Sequence, residues 1–344
     1  MQRVSSREAY FDNAKFMIGA LVVAGHAFDP IVLPHGFEVA EIVGTAFRMP
    51  VFAFLVGYFS QGFLRSPGRA RRLVAKVAIA YLLFDLLYRL LEWRLTGGAF
   101  TFNPLDPYDH LWFLVAMLVW RGTAPLWPQL RHPFAVSVFV SLTSGLVELE
   151  AFTRILSMLP FFVLGLTLER RHLAALRERP AHRIAGVAVL AAAYSAFFFL
   201  VPRYISGKGV LNNAWVASYA ESGLAAPVGM GVRLFFMVTA LVLGAAVLAL
   251  IPERAGRISA LGSRSLYMYV LHYAFIQLGK HFGWFEPLPE GWLGASIVVV
   301  LSFVLGALLC SRPTYLLFRR LMEPPTDWLF APRRPSGDRP ASSA

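Results

Sequence analysis

Apolar residues fall along this chain in long runs rather than in the alternation of a half-buried strand. Ten runs are legible, at residues 14–33, 42–63, 73–92, 110–128, 133–149, 154–169, 183–201, 228–251, 265–282 and 293–312. About 20 helical residues cross a hydrocarbon core about 30 Å thick, so each run reads as a membrane span, the fourth to sixth being the shortest. The pattern predicts an all-α, polytopic membrane helix bundle of about ten transmembrane helices, with no internal repeat. Residues 1–322 form the integral-membrane domain. Residues 323–344, rich in Pro, Arg and Ser, form a cytoplasmic tail expected to be disordered after an interfacial stretch around Trp328.

The first run is interrupted by Lys15 near its start and His26 deep inside. Ionisable groups at membrane depth are costly and face a protein interior or a wet cavity, so this helix is expected to line a site. At about 100° per residue, the step from Lys15 to His26 ends about 20° past three full turns with a rise of about 16 Å. Both side chains therefore point the same way. Asp12, three residues before the lysine, and Asp29, three after the histidine, complete a polar stripe about 100° wide. His26 reads as a hydrogen-bonded histidine between helices, or as a general base or acyl relay whose ring Asp29 orients. Lys15 reads as a cation snorkelling to headgroups, or as part of the site. Glu8 and Asp12, the length of the run and the lack of a small-residue cleavage site argue for a retained helix rather than a signal peptide.

Over 344 residues, 57% hydrophobic and 15% charged with a mean hydropathy of +0.58, the chain is too apolar for a soluble domain. A net charge of +12 and a pI near 10.2 invite a nucleic-acid reading, and the placement of the cations redirects it. With the N-terminus in the cytoplasm, 23 of the 32 Lys and Arg lie in or beside inner segments, five lie in or beside outer loops, and Lys15, Arg48, Arg89 and Arg233 are counted within spans. This is the positive-inside pattern: both termini are cytoplasmic, the protein sits in the inner (plasma) membrane with the lipid bilayer around it, and nucleic acid is not a partner. Cys310 is the single cysteine and no zinc or haem spacing is present, so no metal is expected. Gly-x-Ser-x-Gly, His-Glu-x-x-His and Gly-rich phosphate loops are also absent.

Arg65, Arg69, Arg71 and Arg72 follow the second span. They read as an ordinary inner-loop cluster or as an anion site, since arginine forks suit phosphate oxygens and Arg69 and Arg72 share a face if the third helix starts early. Coenzyme A would offer such phosphates. Arg48, directly before Met49-Pro50, needs a carboxylate or a polar cavity, with Asp12, Asp29 or Glu41 as candidates. Pro50 and Gly57 should bend the second helix and let another pack close. Asp109-His110-Leu111-Trp112-Phe113 opens the fourth span, where Trp112 is equally an interface aromatic. Arg154, near Glu148 and Glu150, is a surface ion pair or the rim of an acceptor site. Ser265, Tyr269 and His272 share a face of the ninth span, for helix packing or for chemistry.

Tyr10-Phe11-Asp12-Asn13-Ala14-Lys15, then Val22-Val23-Ala24-Gly25-His26, resembles the opening of the type-3 acyltransferase family, multi-spanning membrane O-acyltransferases. In that family a basic residue, ten intervening residues and a histidine form the first-helix motif; Lys15 stands where many members have arginine. Similar blocks follow at Arg48-Met49-Pro50-Val51-Phe52, Gly57-Tyr58-Phe59, Arg69-Ala70-Arg71-Arg72, His110-Leu111-Trp112-Phe113, Arg154 with residues 159–165, and Leu261 through His272. Their wording is closest to the fucose 4-O-acetylase-like branch. The resemblance implies transfer of an acyl group, usually acetyl from acetyl-CoA, to a hydroxyl of a sugar, glycan or small molecule. It implies that His26 is catalytic, that Lys15 is its first-helix partner, and that Arg69, Arg71 and Arg72 bind the donor. It further implies a bare membrane module, so that a second transfer step needs a separate partner enzyme; a homo-oligomer is the other association considered. The rival from another class is a proton- or anion-coupled transporter or flippase, with His26, Asp29 and Arg48 as its path.

Overall fold

A computed structural model describes residues 6–62, 67–148, 150–204 and 215–330. Its elements are α1 (Ser6–Ala27), α2 (His35–Ser60), α3 (Pro67–Thr96), α4 (Trp112–Thr123), α5 (Pro133–Ser144), α6 (Glu150–Ser157), α7 (Leu159–Thr167), α8 (Arg170–Glu178), α9 (Pro180–Tyr204), α10 (Ala226–Leu250), α11 (Arg257–Gly262), α12 (Ser265–His281), α13 (Gly291–Leu309) and α14 (Arg312–Met322). No strand occurs among the described residues, and 77% of them are helical.

Every apolar run carries a helix or a helix pair, yet among the described residues four helices, α2, α9, α10 and α13, are each long and apolar enough to cross a membrane. The count becomes five if a bent pair is one span. The shortfalls have local causes. Asp12, Asn13, Lys15 and His26 interrupt α1, and Asp85 and Arg89 interrupt α3. α4 and α5 hold 12 residues each, only about 18 Å of helix, because Pro125 and Pro128 follow the first and Gly145 caps the second. The sixth run breaks at Met158, before Pro160, and then turns through 91° into α8. On α8, Leu173 is buried while Arg170 and Arg171 are exposed, the pattern of a helix lying in the interface plane. α9 is the opposite case: only 6% of its most apolar window is buried inside the protein, leaving its surface for lipid.

α1 runs through the middle of the bundle, with Ala9, Phe11, Ala14, Ile18 and Ala20 buried against α2, α11, α12 and α13. Its start is pinned by polar contacts. The Tyr10 hydroxyl donates to the Leu248 carbonyl at 2.7 Å, and Asn13 Nδ2 donates to the carbonyls of Pro252 and Arg254 at 2.8 and 3.1 Å. Gly262 comes so near that a Cβ would lie 1.8 Å from the Asp12 carbonyl oxygen. Below this anchor Arg177 stacks 4.3 Å over the Tyr10 ring and bonds Glu253 at 2.9 Å. The hydrogen bond from Arg177 holds the Glu253 carboxyl below the usual carboxylate range, against a smaller opposing effect of desolvation.

The crossing of α2 and α7 is set by glycine. A Cβ on Gly57 would lie 1.9 Å from the Phe162 carbonyl oxygen, and one on Gly165 would lie 2.0 Å from that of Phe54. Two backbones in contact leave no room for a methyl group. Gly57→Ala is therefore expected to cost about 1–3 kcal/mol through overpacking, read as a lower thermal unfolding midpoint in detergent. Gly122→Ala, which meets nothing within 4 Å, serves as the control and should not fall. An unchanged midpoint for Gly57→Ala would contradict the close crossing.

Candidate active site

The site is assembled from segments that periodicity cannot pair. Within α3, the buried Asp85 accepts from Arg89 Nε at 3.0 Å and from the Tyr108 backbone N–H at 2.7 Å. Arg89 also donates to the Asp106 carbonyl. This clamp holds residues 106–108 against α3, where Tyr108 stacks on Tyr88 with centroids 5.4 Å apart. The chain then turns at Asp109, whose φ of 32° lies in the left-handed region that non-glycine residues rarely adopt. The turn delivers His110 into the bundle, 3% exposed.

On the far side, α12 receives the same cluster. The Tyr88 hydroxyl donates to the Val270 carbonyl at 2.6 Å and accepts from the Ala274 N–H at 3.1 Å, so it bridges two groups that ordinarily pair within a helix. A side chain inserted in this way opens the helical ladder locally. Tyr269 donates to the His110 carbonyl, and Tyr273 donates to the Asp109 carboxylate.

Between these elements and α2 lies a cavity of about 300 Å³. His26 and Asp29 enter it from the end of α1, Glu41, Thr45 and Arg48 from α2, His110 and Trp112 from the start of α4, Arg154 from α6 and Tyr269 from α12. Arg48 forms a two-pronged pair with Glu41, at 2.8 and 2.6 Å, and also donates to the Leu21 carbonyl at 2.8 Å and Thr45 Oγ1 at 2.6 Å. Glu41 is thus its carboxylate, rather than Asp12 or Asp29. Gly25 makes room for the pair, since a Cβ there would lie 2.6 Å from Arg48 Nη1. The outer wall is Trp215 and Val216, tied down by Ser157 Oγ donating to the Trp215 carbonyl at 2.9 Å. Arg233, fully buried, braces this wall with hydrogen bonds to the Ser141 carbonyl, Ser144 Oγ and the Ala217 carbonyl at 2.8, 2.9 and 3.3 Å.

The His26 side chain keeps 28% of its surface exposed. Its Nδ1 is 3.8 Å from Asp29 Oδ2, an ionic approach too long for a hydrogen bond. Three rings pack around it: His272 and Tyr273 with centroids at 5.3 Å each, and His110 at 6.5 Å. Arg154 stands 5.2 Å over the Trp112 ring, joining a cation to an aromatic face at the cavity edge. Among the described residues, no group of three or more His, Cys, Asp or Glu has the geometry to hold a metal ion.

The polar stripe of α1 is used in two separate places. Lys15 pairs with Asp12 at 2.6 Å and lies 5.4 Å from the Phe59 ring, and neither Lys15 nor Asp12 lines the cavity. His272 lies behind the cavity wall rather than on it. α3 begins at Pro67, so Arg69 and Arg72 are three apart on one helix. Arg72 is exposed, while Arg65 and the side chains of Arg69 and Arg71 fall outside the described residues. Asp85, Tyr88 and Tyr273 join the site without having been singled out by the apolar pattern. Asp85 and Arg89, spaced i, i+4 inside an apolar run, carried the one signal that could have flagged the clamp.

Helices of spanning length, together with a polar cavity between α1, α2, α4, α6 and α12, define an integral-membrane protein with an internal site. The family model described as an acyltransferase domain, that of the type-3 acyltransferases, matches residues 8–312, and the chain belongs to this family. It is a membrane acyltransferase, and the match does not favour the transporter reading. Neither the curated proteins nor the solved structures contain a match.

Proposed function

We propose that this protein moves an acetyl group from acetyl-CoA to a hydroxyl of a sugar or glycan, with His26 as the catalytic histidine. The observation that carries this reading is the position of His26, the histidine of the first-helix motif, at the wall of a cavity that also holds carboxylates, an arginine and a tryptophan face. As the acceptor oxygen attacks the thioester carbonyl, its proton passes to the imidazole. The new C–O bond forms, the C–S bond breaks, and the imidazolium returns the proton to the departing thiolate. In the covalent variant a ring nitrogen carries the acyl group between donor and acceptor.

A cavity of about 300 Å³ is at the small end for drug-sized ligands. It suits a thioester end and one sugar ring, with the nucleotide outside. Arg69, Arg71 and Arg72 are the donor-binding group of this proposal, at the start of α3, and Lys15, at the cytoplasmic end of α1, is the first-helix partner of His26. The pantetheine arm would then cover the rise of about 16 Å to His26. The Trp112 face offers a platform for a sugar, and Asp29 and Asp109 offer acceptors for its hydroxyls. The resemblance to the fucose 4-O-acetylase-like branch supports the same acceptor class.

The topology of this reading is ten spans in the plasma membrane with both termini cytoplasmic. It rests on the 23 of 32 cations in or beside inner segments and on short helices completing the longer ones. Residues 1–322 are its catalytic domain and 323–344 its tail, of which 331–344 lie outside the described residues.

Reversing the charge of Arg69 and Arg72 together is expected to raise the donor KM at least about tenfold, since a hydrogen bond to a charged group contributes about 1.5–3 kcal/mol. The protein should still accumulate. Loss of accumulation instead would assign the cluster to topology. The acceptor is tested by mass spectrometry of surface glycans from cells with and without the protein: an acetyl increment that depends on it supports the sugar, and unchanged glycans remove it.

A further inference from the structure

His272 is fully buried, and the carbonyls at its Nδ1 define its protonation pattern. Nδ1 faces the carbonyl oxygens of Met268 at 3.1 Å and Tyr269 at 2.8 Å. A carbonyl can only accept, so Nδ1 carries the proton, and in the neutral ring Nε2 is left with a bare lone pair. That Nε2 is buried and has no hydrogen-bond partner among the described residues. A buried acceptor left unsatisfied is costly, and its presence beside a reacting group calls for a reason.

Two histidine rings stand close to it, His110 with centroids 5.2 Å apart and His26 at 5.3 Å. His110 Nε2 faces the Val270 carbonyl at 3.4 Å and so carries the proton, while its buried Nδ1 has no hydrogen-bond partner among the described residues, so His110 offers a second lone pair rather than a donor. The neighbour that can satisfy His272 is therefore His26, the two ring planes being inclined at 42°. As a group to orient His26, His110 is the weaker candidate, because its centroid lies 6.5 Å from that of His26. Asp29 is weaker still as an orienting group: it is an exposed residue and stands at 3.8 Å. The ring of His272, in contrast, is held on α12 by its two carbonyls, and α12 is held to α3 and α4 by Tyr88, Tyr269 and Tyr273.

We propose that His272 is the positioning residue for His26: when the partly exposed His26 ring turns toward it, the His272 Nε2 lone pair accepts the N–H of the nearer ring nitrogen and so fixes the His26 tautomer. The other His26 nitrogen is then unprotonated and faces the cavity, ready to take a proton or an acyl group. This is the logic of a base oriented by a third group, with a neutral imidazole in the place usually held by a carboxylate. The proposal rests on the catalytic reading of His26 given above.

Two substitutions separate the lone pair from mere packing. His272→Asn keeps an amide near the position of Nδ1 and removes the acceptor at Nε2. His272→Gln can place its carbonyl oxygen near the position of Nε2. The full chain, reconstituted in lipid nanodiscs with ¹⁵N-labelled histidine, is examined by solid-state NMR, His26 being assigned by its loss in His26→Ala. The wild type and His272→Gln should show His26 in one neutral tautomer, whereas His272→Asn should show a mixture. In acetyl transfer, His272→Asn should lower kcat about 10–100-fold, the range seen when the outer partner of an oriented histidine is removed, with both KM values unchanged and with His272→Gln restoring most of the rate. A tautomer mixture in the wild type, or equal kcat for the Asn and Gln variants, would overturn the proposal. Should no form of the protein transfer acetyl, the catalytic reading fails on its own, and the tautomer spectra still decide whether His272 orients His26.

Discussion

Replacing His26 with alanine is expected to lower acetyl transfer by about 10²–10⁴-fold, the contribution of a positioned acid–base group. The loss should fall on kcat. Donor binding is proposed for Arg69, Arg71 and Arg72 rather than for His26, so the donor KM should hardly change. Stability should fall by no more than about 1–3 kcal/mol, the cost of leaving the buried His272 acceptor without a donor, because the His26 ring is itself partly exposed. A thermal unfolding curve alongside the kinetics makes the separation visible. Retained transfer in a folded His26→Ala protein would remove the residue from the reaction.

Arg48→Ala should behave in the reverse manner, as a loss of stability of about 3–5 kcal/mol, because it leaves Glu41 buried without its counter-charge. Arg48 is 8% exposed and Glu41 6%, and the pair also ties α1 to α2 through the Leu21 carbonyl. The same argument predicts a partial rescue. Changing Glu41 to Gln together with Arg48 to Met removes both charges and should recover part of the loss, since replacing a buried ion pair by a neutral pair is often nearly neutral. Arg72→Ala, at an exposed position on α3, should stay within about 0.5 kcal/mol of the wild type. Denaturant or thermal unfolding in one detergent compares all three. An Arg48→Ala protein as stable as Arg72→Ala would mean that the pair does not hold the two helices.

What could be read from the sequence was local. The spacing of Lys15 and His26 gave a common face, the charge in the second run demanded a carboxylate for Arg48, and Asp109 to Trp112 and Tyr269 to His272 stood out as polar interruptions. Each is found where a helix meets others. The sequence could not show which faces meet. Nothing in a 3.6-residue period says that α12 packs behind the end of α1, or that the Tyr88 hydroxyl enters the ladder of α12. Proline and glycine explain the remaining difference: α4 and α5 stop at 12 residues and the sixth run breaks at Met158, because local backbone constraints override an apolar run. Lys15 shows the limit of the stripe argument. A shared direction over three turns still left it at the far end of the helix, bound to Asp12.

The central claim, that His26 passes an acyl group taken from acetyl-CoA, is tested most directly with donor carrying a radiolabelled acetyl group and the purified full chain in lipid nanodiscs. Membrane glycan extract serves as acceptor. With the wild type, label should leave the thioester and appear on a hydroxyl-bearing product, and with folded His26→Ala it should remain on coenzyme A. Equal loss of label from the donor in the two proteins would contradict the account.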